Sequence, residues 1–341
     1  MKGKNLRFEK LMTAVDSHTE GMPTRIVTSG FGQVPGHTMF EKQHYIEEHL
    51  DHLRGFLMCE PRGHTAMNGV ILLPPTDPEA NLGVVYIDVD GYLPMCGHGT
   101  IGTCTVAIET GLVGAHEPLT HVTLDTPAGR VTAEATVQQG RVKKVKIRNV
   151  PSFLYRKDVQ VEVESIGPIH LDIAYGGNFY SIVPVEQVGL TIQESNAQAL
   201  IDAGMKIMAA VRQQIPLQHP LNAEIDVIKH TMFTGPASAA GAHGRNAVVI
   251  APGVLDRSPC GTGTSARMAQ LFGRGELALH QDFVHESITR SRFTGRLVEQ
   301  VQLTPEIMAV IPTIEGRAWI TGFQRFVLDP EDPFPTGFVL Q

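Results

Sequence analysis

The chain has 341 residues, 42% hydrophobic and 18% charged, which is enough apolar side chain for a full core and enough length for two domains. With 28 Lys and Arg against 35 Asp and Glu the net charge is −7, and no dense basic cluster offers a nucleic-acid or anionic-membrane partner its electrostatic footprint. No apolar run reaches the roughly 18–20 residues of a membrane span, the charged start MKGKNLRFEKLMTAV has no apolar leader segment, and four Cys are too few for a disulfide framework, so a cytoplasmic setting is expected.

In chain order, the first informative element is a strand over 83–89, followed by a loop and Cys96. Beyond Cys96, the residues Ile101, Cys104 and Ile108 share one helical face, which Gly111 ends. Residues 121–149 form three alternating runs broken at Pro127-Ala128-Gly129 and Gln139-Gly140, the pattern of an antiparallel meander with one polar face. Apolar residues at helical spacing over 191–214 (Ile201, Met205, Met208, Val211) predict one long helix. A second strand over 246–250 leads through a loop with Asp256 to Cys260, and the helix beyond it carries Met268, Leu271 and Phe272 on one face and is expected to end at Gly273. Strands over 296–303 and 317–328 complete the chain before a Pro-rich end. Runs of strands with a few helices, rather than alternating βα units, predict an α+β fold. The boundary is placed just after the meander, near Val150-Pro151-Ser152, giving a first half 1–155 and a second half 156–321.

Cys-Gly-X-Gly-Thr occurs twice, in PMCGHGTIGTC at 94–104 and PCGTGTSARM at 259–268. Each copy follows a strand and a turn and opens a helix, so a duplicated, pseudo-symmetric fold is expected. A helix N-terminus presents unpaired amides and the positive end of the macrodipole, and Gly lets those amides approach an anion closely. Gly97-His98 and Gly261-Thr262 are therefore candidate carboxylate contacts, and the same dipole is expected to lower the pKa of Cys96 and Cys260. Two such thiols on opposite sides of a carbon α to a carboxylate would form a two-base inversion device, one removing a proton and the other returning it from the far face. A lone Cys in a Gly-rich loop is most often inert; its repetition at two helix starts favours chemistry at Cys96 and Cys260. Cys104, on the apolar face, and Cys59, within Phe56-Leu57-Met58, read as core. His98 could tune the thiol or the anion site, and Asp256 could begin a turn with Arg257-Ser258-Pro259 or accept a bond from a substrate ammonium. Three other classes compete. A zinc enzyme lacks C-x-x-C or H-E-x-x-H spacing, a cysteine hydrolase would need only one of the two thiols, and a non-catalytic carboxylate binder would hold its ligand without turning it over.

The segments MCGHGTIGT and DRSPCGTGTSARMA resemble the two active-site motifs of the proline racemase family, which also contains 4-hydroxyproline 2-epimerases and trans-3-hydroxyproline dehydratases. Further matching segments include VDSHTEGMPTRIV (15–27), EPRGH (60–64), NVPSFLY (149–155), YGGNFY (175–180), HESI (285–288) and ITGFQRFVLDPEDPF (320–334). The resemblance implies two α+β halves of the diaminopimelate-epimerase type with the active site in the cleft between them, residues 322–341 returning to the first half, and a homodimer working without metal or other cofactor on a proline-type imino acid. It implies Cys96 and Cys260 as acid/base residues, Gly97, His98, Gly261 and Thr262 as substrate contacts, Asp256 near the ring nitrogen and His230 at the pocket edge. Dehydratases of the family carry Thr at the second Cys position, so Cys260 argues against that activity. Racemases resemble one another in carrying Phe after RGHxxM and ten residues before the second Cys, where this chain has Asn68 and Ile250. A small polar residue leaves room and a partner for a ring hydroxyl. The expected reaction is therefore trans-4-hydroxy-L-proline to cis-4-hydroxy-D-proline, with proline racemisation as the alternative.

Overall fold

A computed structural model describes residues 8–340; positions 1–7 of the charged start and Gln341 lie outside the described residues. The first half runs β1 (Lys10–Thr19), β2 (Met22–Ser29), α1 (Met39–His49), α2 (Asp51–Met58), β3 (Asn68–Leu73), β4 (Leu82–Asp88), β5 (Tyr92–Leu93), α3 (Gly97–Glu109), β6 (Leu119–Thr126), β7 (Gly129–Gln138) and β8 (Arg141–Arg148). The second runs β9 (Phe153–Val163), β10 (Gly167–Tyr175), β11 (Phe179–Pro184), α4 (Ala197–Gln214), β12 (Ile228–Gly235), β13 (Gly244–Ile250), β14 (Val254–Leu255), α5 (Gly261–Gly273), β15 (Asp282–Glu286), β16 (Arg292–Gln302) and β17 (Met308–Gly316), followed by β18 (Ala318–Leu328).

Pairing repeats between the halves. In the first, β1 and β2 are antiparallel, β2 and β3 parallel, β3 and β4 antiparallel, and β4 and β6 parallel, before the meander β6–β7–β8. The second repeats that order with β10, β11, β12, β13, β15, β16 and β17. The fold is thus α+β with two pseudo-symmetric halves. Each half hands its last strand to the other. After β8 the chain crosses over and β9 lines up on β10; after β17 it crosses back and β18 pairs with β1 from Lys10↔Leu328 to Thr19↔Ala318. Strands β8 and β17 also pair, which seams the halves together. A division at 322 would cut the continuous strand β18, and one at 155 would cut β9, so we propose crossover points just before Phe153 and Ala318.

Central helix α3 is buried from Gly97 to Ile108, with Ile101, Cys104 and Ile108 in the first core. Its counterpart α5 packs Met268 and Leu271 into the same apolar cluster. Outside these, α1 and α2 cover one face of the first half and α4 covers the second. The alternation-based reading misses α1, whose buried face includes Lys42 and Gln43 and so looks polar in sequence. One expected boundary also moves. The helix expected from 191 starts at Ala197, because Asn196 Nδ2 bonds back to Thr191 (3.0 Å to its carbonyl and to its hydroxyl) and closes a separate turn. Helix α5 ends at Gly273 as expected, where a Cβ would come within 2.9 Å of Leu154, and the left-handed residue past the helix is Gly275, φ +76°.

Candidate active site

The two Cys-Gly-X-Gly-Thr copies meet head to head. A Cβ on Gly97 would lie 2.8 Å from the Gly261 Cα, and one on Gly261 would lie 2.8 Å from the Gly97 Cα. The absence of side chains at these two positions is what lets α3 and α5 abut at their N-termini. First-turn amides of a helix have no carbonyl behind them to bond, and those of Gly97, His98, Gly261 and Thr262 lie where the two helix starts abut. Two facing positive helix ends repel until an anion sits between them.

Cys96 caps α3 in extended backbone (φ −139°), and its Sγ accepts the Gly99 amide at 3.4 Å. Both ring nitrogens of His98 stand 3.6 Å from that sulfur. Burial holds the His98 imidazole below its ordinary pKa, hence neutral. Cys260 opens α5 in the left-handed region (φ +62°), a conformation uncommon for a residue with a Cβ. Its surroundings fix it. The Ser258 hydroxyl accepts the Cys260 amide at 3.1 Å, while Asn246 Nδ2 and Thr264 Oγ1 donate to the Pro259 carbonyl at 2.7 and 3.0 Å. Behind them, His285 Nδ1 stands 3.1 Å from Asn246 Nδ2 and 3.0 Å from Thr264 Oγ1.

The expected lowering of the thiol pKa values is overturned. Burial pushes Cys96 up to about 12 and Cys260 well above the ordinary thiol range, and the Asp256 carboxylate adds to both. Desolvation of a thiolate in a closed cleft outweighs one helix end. A cation brought to Asp256 would offset the part of that penalty that its carboxylate contributes.

Asp256 takes the turn role weighed from sequence. Its Oδ1 accepts the Ser258 amide (2.8 Å) and hydroxyl (2.9 Å), building the turn before Cys260. Its Oδ2 is buried without a hydrogen-bond partner among the described residues. His230 is buried in β12 on the face it shares with Met232, which packs in one cluster with Cys260. Its Nδ1 is likewise unpartnered, and its ring stacks on Tyr180 with centroids 4.7 Å apart. Asn68 starts β3 on the face of Val70, which borders Gly99 beside Cys96; its Nδ2 makes a long 3.4 Å bond to the Ala66 carbonyl. Cys59 and Cys104 are buried in the packing as read from sequence.

Three residues that the sequence reading left without a role complete the geometry. Asn178 Nδ2 donates across the halves to the Met95 carbonyl at 3.1 Å. Asn149 Nδ2 donates to the Gly176 carbonyl and to Ser265 Oγ of α5 at 2.9 and 2.8 Å. Tyr180 places its hydroxyl 3.2 Å from Cys260 Sγ and 2.6 Å from Thr262 Oγ1. All three lie in the segments NVPSFLY and YGGNFY, whose resemblance was the one available signal. Among the described residues there is no cluster of three or more His, Cys, Asp or Glu arranged to hold a metal ion, and no helix long and apolar enough to cross a membrane.

Buried imidazoles set an acid limit on this architecture. Burial pulls His230 and His285 down to about 3, so both are neutral in the fold, whereas in the unfolded chain each charges below about pH 6.5. Their depressed values make stability fully present above pH 6.5 and progressively lost toward pH 3, by about 1.4 kcal/mol per pH unit for each histidine in that window. Urea midpoints measured between pH 7.5 and 4.5 are expected to fall accordingly. His285→Asn should halve the slope assigned to the pair, and an unchanged slope would contradict this account.

Comparison with known proteins gives concordant matches. The proline racemase family model matches residues 14–339. A Streptosporangium roseum protein named 4-hydroxyproline 2-epimerase is 55% identical over 335 residues, covering 98% of this chain and all of that one. A Clostridioides difficile proline racemase is 44% identical over 336 residues with the same coverage of both. The crystal structure of an Agrobacterium vitis hydroxyproline epimerase with bound trans-4-hydroxy-L-proline superposes with a TM-score of 0.92 at 37% identity, covering 98% of this chain and 97% of that one.

Proposed function

Because the chain belongs to the proline racemase family and is an isomerase, we propose that it inverts C2 of 4-hydroxyproline, interconverting trans-4-hydroxy-L-proline and cis-4-hydroxy-D-proline with Cys96 and Cys260 as a two-base pair. The observation that carries this reading is the direct contact of two Cys-headed helix N-termini at Gly97 and Gly261, beside the unpartnered Oδ2 of Asp256.

In this mechanism the substrate carboxylate lies between the helix ends, on the amides of Gly97, His98, Gly261 and Thr262, and the ring ammonium meets Asp256 Oδ2, with His230 at the pocket edge. One sulfur, as thiolate, takes the Cα proton. The electron pair left on carbon delocalises into the carboxylate, whose growing charge the preorganised amides stabilise. The other sulfur, as thiol, delivers its proton to the opposite face, so carbon inverts and the protonation states of the two cysteines exchange. Return to the starting state needs only proton exchange with water after product leaves. The substrate ammonium offsets the Asp256 charge that bears on both sulfurs, while the helix-end amides offset the charge of the carboxylate.

Choice of ring is proposed to rest on Asn68. A hydroxyl pressed on an apolar wall loses its water at about 1–3 kcal/mol; an Asn amide replaces it as donor or acceptor. The 4-hydroxyproline 2-epimerase name of the 55% relative supports this choice over that of the 44% racemase relative. The test is deuterium exchange at Cα from solvent, followed by NMR, over proline and the 3- and 4-hydroxyproline isomers. Trans-4-hydroxy-L-proline is expected to exchange and invert far faster than L-proline, and Asn68→Phe should shift the ratio of kcat/KM values toward proline by losing the hydroxylated substrate. Preference for L-proline in the wild type would replace this reading with proline racemisation. Binding without any exchange would leave a non-catalytic carboxylate binder.

A further inference from the structure

The two candidate acid/base thiols are not equivalent. Cys96 is held by a backbone amide, Gly99 N–H at 3.4 Å, and faces the neutral His98 ring. Cys260, with the Gly263 amide of its own helix bearing on it, also meets a side chain from the neighbouring sheet, the Tyr180 hydroxyl at 3.2 Å. Tyr180 lies on β11, fully buried, its ring sandwiched against His230. Burial and the neighbouring Cys260 hold the phenol far above its ordinary pKa, so it keeps its proton. One proton then has two acceptors in reach: Cys260 Sγ at 3.2 Å and Thr262 Oγ1 at 2.6 Å. Thr262 is anchored in turn by Asn178 Nδ2 at 3.4 Å.

We propose that Tyr180 is the positioning residue of Cys260, its hydroxyl donating to the sulfur when Cys260 is a thiolate and turning to Thr262 Oγ1 when Cys260 is a thiol. The inference rests on the reading of Cys260 as an acid/base residue. Its chemistry is a rotation of one O–H bond and requires no proton to leave the phenol. In the thiolate state the phenol supplies a charge-assisted hydrogen bond to an otherwise desolvated sulfur. In the thiol state the phenol is satisfied by Thr262, which leaves the S–H proton free to point at the substrate carbon. A donor fixed permanently on the sulfur would stabilise the thiolate but resist reprotonation of carbon; a donor with a second acceptor does not.

The groups facing this thiol are few, so the effect is readable. They are Asp256 in the preceding loop, Tyr180 on β11, Thr262 Oγ1 at 4.0 Å and the Gly263 amide on α5, the neutral His230 behind the phenol ring, and Cys96 with His98 on α3; Lys229, next to His230, is engaged by Asp90 at 3.4 Å. The experiment measures the pH dependence of Cys260 alkylation by iodoacetamide in full-length Cys96→Ala protein, counted by peptide mass spectrometry so that Cys59 and Cys104 are scored apart. Adding Tyr180→Phe should raise the midpoint for Cys260 by about one pH unit, a tenfold loss of thiolate for one missing hydrogen bond to a charged group. In the otherwise native enzyme Tyr180→Phe should lower kcat/KM about tenfold in both directions, equally, since the equilibrium constant ties them. Cys96 alkylation, measured in Cys260→Ala protein, should not move. An unchanged Cys260 midpoint overturns the proposal even if activity falls, because a purely packing role would lower activity without shifting the titration. Should Tyr180→Phe not fold, a ring-fluorinated tyrosine at position 180, a stronger donor of nearly the same shape, should move the midpoint downward, and no movement again overturns it. The alkylation readout needs no turnover, so it is separable from failure of the functional reading, which persistent inversion by Cys260→Ala would signal.

Discussion

Cys96→Ala and Cys260→Ala are each expected to abolish inversion, with losses at or beyond the roughly 10²–10⁴-fold typical of removing a general acid or base. The reason is stereochemical. A single sulfur can remove a proton and return it to the face from which it came, but the opposite face then has no donor. Each single variant should therefore retain slow solvent exchange at Cα for one enantiomer only, and the two variants should retain it for opposite enantiomers. The double variant should be little worse than either single one for inversion, because the residues act as a unit. Both sulfurs are buried with small packing footprints, so the variants should fold, which a thermal melt checks. Near-normal inversion by either single variant would sink the two-base scheme, and loss confined to Cys260 would favour a one-thiol mechanism.

Gly97→Ala and Gly261→Ala should be nearly as damaging to activity, although neither removes a reactive group. The added Cβ would sit 2.8 Å from the Cα of the facing glycine. The obstructing atom is backbone at the start of a buried helix, so no side-chain rotation relieves the clash and the helix ends must separate. Overpacking of this kind costs about 1–3 kcal/mol of stability, and a displacement near 1 Å between reacting groups costs on the order of 100-fold in rate. We expect kcat/KM to fall by roughly that factor in each variant, with a lower unfolding midpoint. Gly114→Ala is the matched control, since a Cβ there would meet nothing within 4 Å and its φ is not in the left-handed region. Wild-type activity in Gly261→Ala would mean that the helix ends need not touch for catalysis.

The pH behaviour of the thiols shows where reading a sequence reaches its limit. Cys96 and Cys260 as repeated helix-opening residues were legible because every signal is local: a strand, a turn, the motif itself, and a helix whose apolar residues fall at 3.6-residue spacing. The halves of the molecule were legible for the same reason, each being readable without the other. A helix start also implies a lowered thiol pKa, yet burial in the closed cleft reverses the sign. Desolvation is a sum over everything that surrounds the sulfur, most of it distant in sequence.

Asp256 illustrates a middle case. Its place before Cys260 suggested both a turn and an ammonium contact, and the tertiary structure assigns one carboxylate oxygen to the first task and leaves the other free. Tyr180 lies further out of reach, since its contact with Cys260 spans 80 positions of sequence. Nothing in YGGNFY distinguishes a core tyrosine from one aimed at a thiol; the parallel pairing of β11 with β12 and the packing of α5 decide it. The exchange of β9 and β18 between the halves is also invisible locally, because a strand's alternation records which face is buried but not which partner edge it joins. The sequence alone therefore determined the duplicated units, the α+β class and the two helix-opening cysteine positions, which depend on short-range periodicity and turn chemistry. Only the tertiary structure decided how the two helix ends meet, which donor each sulfur receives and what burial does to its proton, because those are set by contacts between segments the chain brings together last.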